Sequence, residues 1–165
     1  MQPLWAPWRM EFIEGAKPDG CIFCSFPQET GEAADRRNLI VARTASSFAI
    51  LNRFPYNSGH LMVIPLRHTH DFPSLTMQES ADLWRLLQVA ITALSQAYHP
   101  DGFNLGMNLG RSAGAGIVGH LHFHVVPRWV GDTNFMPVLA ATKVLVEYLE
   151  QSYDKLRAQF YQLLT

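Results

Sequence analysis

The sequence predicts an α+β domain with a mainly antiparallel, five-stranded sheet, one central helix and one C-terminal helix. Three short apolar runs separated by turn-forming residues lie between positions 39 and 65, and two more lie at 103–108 and 119–127. β-Branched and aromatic residues in runs of this length favour strands. Only two longer segments show helical spacing, so strands dominate the predicted core.

The central helix is predicted to begin after Thr76, because Thr76 and Glu79 form a capping-box pattern. Apolar residues then recur at helical spacing up to about His99, where Pro100 and the following turn-formers end the helix. The C-terminal helix is predicted from about residue 142 to residue 164. Its apolar face would consist of Val144, Leu145, Tyr148, Leu149, Tyr153, Leu156 and Phe160.

Length and composition favour a single domain. The chain has 165 residues, 48% of them hydrophobic, which suffices for one core but not for two. We interpret residues 1–20, rich in Pro, Trp and Gly, as an irregular N-terminal arm and residues 21–165 as the domain. The formal net charge of -1 argues against a nucleic-acid partner. No apolar run reaches the roughly 20 residues that span a bilayer, and no signal-peptide layout is present, so a cytoplasmic protein without a membrane partner is expected.

A run of alternating histidines, His120, His122 and His124, carries the strongest chemical signal. On a strand, side chains two residues apart point to the same side, so three imidazoles would share one face. Three readings compete: a solvent-exposed strand, a three-histidine metal site, and nucleophilic catalysis at phosphorus by a neutral imidazole. The glycine-rich segment 110–116 precedes the run and suits phosphate binding, which favours the catalytic reading.

The two cysteines, Cys21 and Cys24, form a Cys-x-x-Cys pair. Such a pair is too small for a disulfide framework and is typical of a metal half-site, a redox motif or two buried, reduced thiols. These alternatives stay open on the cysteines alone.

The segment His120-Leu121-His122-Phe123-His124-Val125-Val126 resembles the signature of the histidine triad family, and the segment around His60, Gly59 to His68, resembles its second hallmark. The resemblance extends from Cys21 to Arg128. Both termini are similar to the bacterial branch that includes diadenosine tetraphosphate phosphorylases and hydrolases. The resemblance implies the histidine triad fold, a homodimer, and a nucleotide or dinucleoside polyphosphate as substrate.

The family's site residues map onto this chain as follows. His122 would attack the α-phosphorus, forming a covalent nucleotidyl-histidine, and His124 would stabilise charge on the phosphate oxygens. Substrate binding would involve Asn52, Asn108, Gly114, Gly116 and His60. Asn52 stands where relatives usually carry an acidic residue for the ribose hydroxyls, and an amide can still bond to a diol.

Gly116 departs from many hydrolases of the family, which have a glutamine at this position, four residues before the first histidine. The smaller residue leaves space for inorganic phosphate, so phosphorolysis is expected to compete with hydrolysis. Two alternatives are kept open: a nucleoside phosphoramidate hydrolase of the same fold and a non-catalytic nucleotide-binding module.

Several family members carry two cysteines and two histidines as a structural zinc site, and Cys21, Cys24, His68 and His120 match that set. No redox cofactor is implied. His70 and His99 are expected at the surface, and Phe48, Met62 and Met107 in the core rather than in a base pocket.

Overall fold

A computed structural model describes residues 20–132 and 147–165. The arm predicted over residues 1–20 lies outside this range except for Gly20, as do residues 142–146 of the predicted C-terminal helix. The described residues form a five-stranded antiparallel sheet in the order β1-β2-β3-β5-β4. Its strands are β1 (Ile40–Arg43), β2 (Ser47–Leu51), β3 (Leu61–Pro65), β4 (Gly102–Met107) and β5 (Phe123–Arg128).

Four α-helices accompany the sheet in the described ranges: α1 (Ile22–Ser25), α2 (Glu32–Asn38), α3 (Met77–Tyr98) and α4 (Leu149–Leu164). Helix α3 packs on β2 and β3, and α4 packs on α3 and β1. The α+β fold class is therefore confirmed, with the core between the sheet and these two long helices. Helices α1 and α2 were not predicted, because both are shorter than the window in which helical periodicity can be recognised.

Helix α3 begins as the sequence predicts. The Thr76 side chain accepts a hydrogen bond from the Glu79 amide, and the Glu79 carboxylate accepts one from the Thr76 amide, which completes the capping box. Helix α4 begins later than predicted: Tyr148 has an extended backbone and is its N-cap. The Tyr148 side chain is also 80% exposed, so it lies off the apolar face that Tyr153, Leu156 and Phe160 form.

Strand β5 is shorter than the predicted strand 119–127, and His120 and His122 precede it. The β3–β5 ladder pairs Val63 with Phe123 and ends there. Two positions further along, Pro65 has no amide hydrogen to donate, and its carbonyl accepts a hydrogen bond from the His120 ring instead. The three histidines consequently do not share one strand face.

None of the helices in the described ranges is long and apolar enough to cross a membrane.

Candidate active site

A cleft of about 250 Å³ opens beside β5. It brings together six of the residues that the sequence singled out for catalysis or substrate binding, although they come from four separate segments. These are Asn52, Asn108, Gly114, Gly116, His122 and His124. The structure thus assembles a polar rim of amides, glycines and imidazoles around one cavity, a composition suited to a small polar ligand.

His122 is held in one tautomer by the backbone. Its Nδ1 lies 2.8 Å from the carbonyl oxygen of His120, and because a carbonyl can only accept, Nδ1 carries the proton and donates it. The other nitrogen, Nε2, therefore keeps its lone pair. Burial lowers the pKa of His122, outweighing the opposite effect of the His120 carbonyl, so the ring is neutral near pH 7. A buried, neutral imidazole with a fixed lone pair has the properties of a nucleophile.

His60 and His124 form a second hydrogen-bonded pair. The backbone amide of Tyr56 donates to Nδ1 of His60 at 3.0 Å, so neutral His60 carries its proton on Nε2. That Nε2 lies 3.0 Å from Nδ1 of His124 and donates to it. His124 consequently carries its own proton on Nε2, the nitrogen suited to donate to an anionic oxygen. The His124 and His122 rings lie 5.0 Å apart, centroid to centroid.

His60 is fully buried and does not line the cleft itself. Gly59 precedes it at a φ of +75°, which other residues rarely adopt, and a Cβ there would lie only 3.0 Å from side-chain atoms of Leu94 and Tyr98. Asn52 adds a hydrogen bond within this loop, since its Oδ1 accepts from the Phe54 amide at 2.9 Å. Buried behind the cleft and hydrogen-bonded to His124, His60 is suited to orient that ring rather than to contact a ligand.

The segment after β4 forms the opposite rim. Asn108 follows the strand, and a single 3-10 turn over Arg111–Ala113 is flanked by Gly110 and Gly114, both at positive φ. Backbone amides in such a turn can converge on an anion. The location of Asn108, Gly114 and Gly116 at the cleft is as the sequence predicts, and their role in phosphate binding stays a prediction.

An apolar wall, which sequence reasoning missed, completes the cleft. Ile22, Phe23 and Phe26 line it together with Met62 and Ile117. Met62 lies in the core, as predicted, and it also lines the cleft, which was not predicted. Residues 22, 23 and 26 have no polar or ionisable side-chain group. The segment is also too short to show a recognisable helical periodicity. Their one signal is adjacency to the cysteine pair.

Phe48 is fully buried, as predicted, and His70 and His99 are exposed. Met107 is partly buried at the end of β4 and does not line the cleft.

The four predicted metal ligands converge at a second centre. The donor atoms of Cys21, Cys24, His68 and His120 all lie within 4.8 Å of one another. Nδ1 of His120 is 3.3 Å from Sγ of Cys21 and 3.6 Å from Sγ of Cys24, and Nδ1 of His68 is 3.2 Å from Sγ of Cys24. Tetrahedral zinc bonds to sulfur and nitrogen imply a separation of about 3.6 Å between such ligand atoms. We call these four residues the Cys/His cluster.

The chemistry of the donor set also fits zinc. Nε2 of His120 donates to the Pro65 carbonyl at 2.8 Å, which leaves the Nδ1 lone pair directed at the two sulfurs. Burial and the neighbouring Cys21 raise the pKa of the Cys24 thiol, so the pair does not favour two thiolates without a cation. A metal ion would relieve that repulsion. In its absence the same atoms can form thiol–imidazole hydrogen bonds.

Comparisons with known proteins identify the family of the chain. The HIT domain family model matches residues 34–130. The chain is 42% identical over 157 residues to the AP-4-A phosphorylase of Mycobacterium tuberculosis, an alignment that covers 92% of this chain and 80% of that protein. It is 33% identical over 93 residues to the Bis(5'-adenosyl)-triphosphatase of Dictyostelium discoideum, covering 56% of this chain and 62% of that protein.

Two solved structures are similar throughout. A histidine triad nucleotide-binding protein from Sulfolobus tokodaii has a TM-score of 0.68 at 29% identity, covering 87% of this chain and 93% of that one. A zinc-bound histidine triad family protein from Mycobacterium smegmatis has a TM-score of 0.67 at 28% identity, covering 87% and 95%. The chain therefore belongs to the histidine triad (HIT) family. It is an enzyme of that family, whose members are nucleotide hydrolases or transferases.

Proposed function

We propose that the chain cleaves diadenosine polyphosphates, with diadenosine tetraphosphate as the expected substrate, through a covalent nucleotidyl intermediate on His122. The observation that carries the proposal is the fixed tautomer of His122, which leaves a neutral Nε2 lone pair in a cleft rimmed by predicted phosphate-binding residues. The similarity to a named AP-4-A phosphorylase supports the substrate class.

The reaction would proceed in two displacements. In the first, Nε2 of His122 forms a bond to the α-phosphorus, and the bond from that phosphorus to the bridging oxygen breaks, so ATP leaves. The ring then bears a positive charge. Its Nδ1–H donates to the His120 carbonyl at 2.8 Å, which stabilises the cationic intermediate. In the second displacement, phosphate or water attacks the same phosphorus and His122 recovers its lone pair.

His124 would stabilise the charge that develops on the phosphoryl oxygens. Its Nε2 carries the proton because Nδ1 accepts from His60. Asn108 and the glycine-flanked turn at Gly114 and Gly116 would supply further donors from the opposite rim. Asn52 would bond to the ribose hydroxyls. The apolar wall of Ile22, Phe23 and Phe26 would contact the base.

A product-resolved assay tests the acceptor. Diadenosine tetraphosphate is incubated with and without inorganic phosphate, and the nucleotides are separated by mass spectrometry. Phosphorolysis yields ADP and ATP and depends on phosphate, whereas hydrolysis yields AMP and ATP. We expect ADP in the presence of phosphate, because Gly116 leaves space for this acceptor. AMP and ATP alone, at a rate independent of phosphate, would identify a hydrolase, and preference for an adenosine phosphoramidate would favour the alternative activity.

We also propose that the Cys/His cluster holds a structural zinc ion. Four protein ligands close the coordination sphere, so the ion would supply rigidity and no position for a reacting water. Zinc analysis of protein purified without chelator is expected to give close to one ion per chain. A content far below one would contradict this assignment.

A homodimer is proposed as well. Strand β4 pairs with β5 on one side and is the edge of the described sheet on the other. Leu105 on this strand is 50% exposed and Trp84 on α3 is 56% exposed, so both can be buried against a second copy. Light scattering is expected to give twice the monomer mass, and Leu105→Glu to shift it toward the monomer. Residues 21–165 as one domain and a cytoplasmic location stay predictions.

A further inference from the structure

Helix α1 belongs to both centres at once. Cys21 is its N-cap and Cys24 lies inside it, so two of the four cluster residues come from this element. Ile22 and Phe23, which stand between the cysteines, line the cleft. Phe23 is 1% exposed, and its ring lies 5.7 Å from the His120 ring and 5.4 Å from the His122 ring. One side of this short helix therefore contacts the cluster, and another forms the cleft wall.

Helix α1 is held to the rest of the described molecule by its side chains. The backbone hydrogen bonds of residues 21–26 reach no further than Glu29, whose amide donates to the Phe26 carbonyl at 3.2 Å. The next residues are held by Arg43, whose guanidinium donates to the carbonyls of Pro27 and Glu29 at 2.7 and 2.9 Å. The wall is thus held after residue 26 by Arg43. Within α1 it is held by the cluster, by the buried Phe23 ring and by the packing of Ile22 and Phe26 against the core.

The catalytic segment has its own anchors. The Leu121 amide donates to the Thr69 carbonyl at 2.8 Å. Strand β5 pairs with β4 along its whole length and with β3 over residues 123–125. The tautomer of His122 depends on the backbone carbonyl of His120, and the His120 ring is itself held from outside the cluster by the Pro65 carbonyl. Disturbing the cluster should therefore displace the wall much more than the nucleophile.

We propose that metal occupancy of the Cys/His cluster controls how tightly the cleft binds a nucleotide, by fixing α1 and the wall that Ile22, Phe23 and Phe26 form. This coupling rests on the proposed nucleotide substrate. It acts on binding: loss of the metal raises KM and weakens nucleotide affinity, and kcat changes little. Linkage requires the converse, so a bound nucleotide must tighten zinc binding by the same factor.

His68→Ala is the variant that separates the two centres. His68 is exposed, lies in the loop after β3 and lines no part of the described cleft, yet it is a cluster ligand. His70→Ala is the matched control, since His70 is exposed two residues away and outside the cluster. Zinc content is measured for both variants, and AMP affinity is measured by calorimetry after chelation and after reloading with zinc.

We expect zinc-loaded wild type and His70→Ala to bind AMP about tenfold more tightly than the chelated proteins. His68→Ala should bind zinc poorly and AMP weakly, whether or not zinc is added. In wild type, saturating AMP should increase zinc affinity by the same factor. Equal AMP affinity of chelated and reloaded wild type would overturn the coupling, and so would a fall in kcat at unchanged KM.

Hydrogen exchange supplies a readout that needs no turnover. Zinc removal should speed exchange in residues 21–26 by a much larger factor than in residues 121–126, which should change no more than the lower global stability requires. An equal loss of protection in both segments would mean that the metal stabilises only the fold as a whole, which also contradicts the proposal. These binding and exchange results do not depend on whether phosphate or water is the acceptor in the proposed reaction. A chain that fails to cleave diadenosine tetraphosphate can still show zinc-dependent AMP binding, and an active enzyme can lack it.

Discussion

His120 and His122 are two residues apart, and the structure gives them opposite tautomers. His120 donates from Nε2 to the Pro65 carbonyl and directs Nδ1 at two sulfurs. His122 donates from Nδ1 to the His120 carbonyl and keeps Nε2 for the cleft. Burial lowers the pKa of both rings, so both are neutral and each offers one lone pair. In each ring, the position of the backbone carbonyl that accepts the proton decides which nitrogen keeps the lone pair.

This difference shows how one sequence motif can serve two centres. Nδ1 is the ring nitrogen nearer to the backbone, and a histidine that binds through it suits the cluster, which lies close to the His120 backbone. A histidine that exposes Nε2 reaches further from its Cα and suits attack on a substrate. Neither role follows from residue type alone, because both residues occupy equivalent places in the alternating run.

The largest expected effect tests the nucleophile. His122→Ala removes the only group that can carry the nucleotidyl intermediate in the proposed mechanism, so kcat should fall by about 10⁴-fold or more. AMP affinity, measured by calorimetry, should stay within about threefold, since the rest of the cleft is intact. If His122→Ala turned over substrate as fast as wild type, His122 would not be the nucleophile, and its proposed difference in role from His120 would be wrong.

A smaller loss is expected for His124 and its positioning residue His60. His124→Ala removes a charge-stabilising donor and should lower kcat by roughly 10²-fold to 10³-fold. Because His60 acts by fixing the His124 tautomer, His60→Ala should lower kcat to a similar degree, and the double variant should be no worse than His124→Ala. Additive losses in this double-mutant cycle would show that the two rings act separately.

Loss of the cluster is expected to affect stability more than chemistry. Cys24→Ser should abolish stoichiometric zinc binding and lower Tm by about 5–10 °C, as expected for the loss of a ligand bound well above its Kd. The value of kcat at saturating substrate should stay within about threefold. Scanning calorimetry and steady-state kinetics check this, with Ser25→Ala, a neighbouring exposed position, as the control. A loss of kcat as large as that of His124→Ala would show that the Cys/His cluster contributes to the chemical step.

The smallest effect concerns the acceptor. Gly116→Gln restores the side chain found in many hydrolases of the family, and it should shift the ADP to AMP product ratio toward AMP by about tenfold, roughly the effect of one well-placed hydrogen bond to a charged group. Total turnover should change less than the ratio. An unchanged ratio would show that Gly116 does not select between phosphate and water.

Sequence reasoning located the polar residues in two ways. The alternating histidines indicated His122, and the family resemblance assigned Asn108 and Gly114. Thr76 with Glu79 predicted the start of α3 within a residue. The fold class followed from apolar runs between turn-formers. These features depend on local sequence, which explains why they were accessible.

The apolar wall and the end of β5 were not accessible in that way. Phe23 lines the cleft next to residues that lie about 100 positions further along the chain, as the contact of its neighbour Cys21 with His120 illustrates. Met62 was assigned to the core because strand periodicity does not distinguish a core position from the floor of a cleft. The early end of β5 depends on Pro65, a residue of a different strand.

Pro65 matters for anyone who redesigns this scaffold. Its nitrogen has no hydrogen to donate, so the β3–β5 ladder ends before it. With an amide at this position, as in Pro65→Val, the ladder would extend by two positions to include residues 121 and 122. The carbonyl that now fixes the His120 ring would then be recruited to the backbone. The Nδ1 lone pair of His120 would then lose its direction. The nitrogen of Pro65 in β3 thus prevents the three alternating histidines from adopting three equivalent positions on one strand.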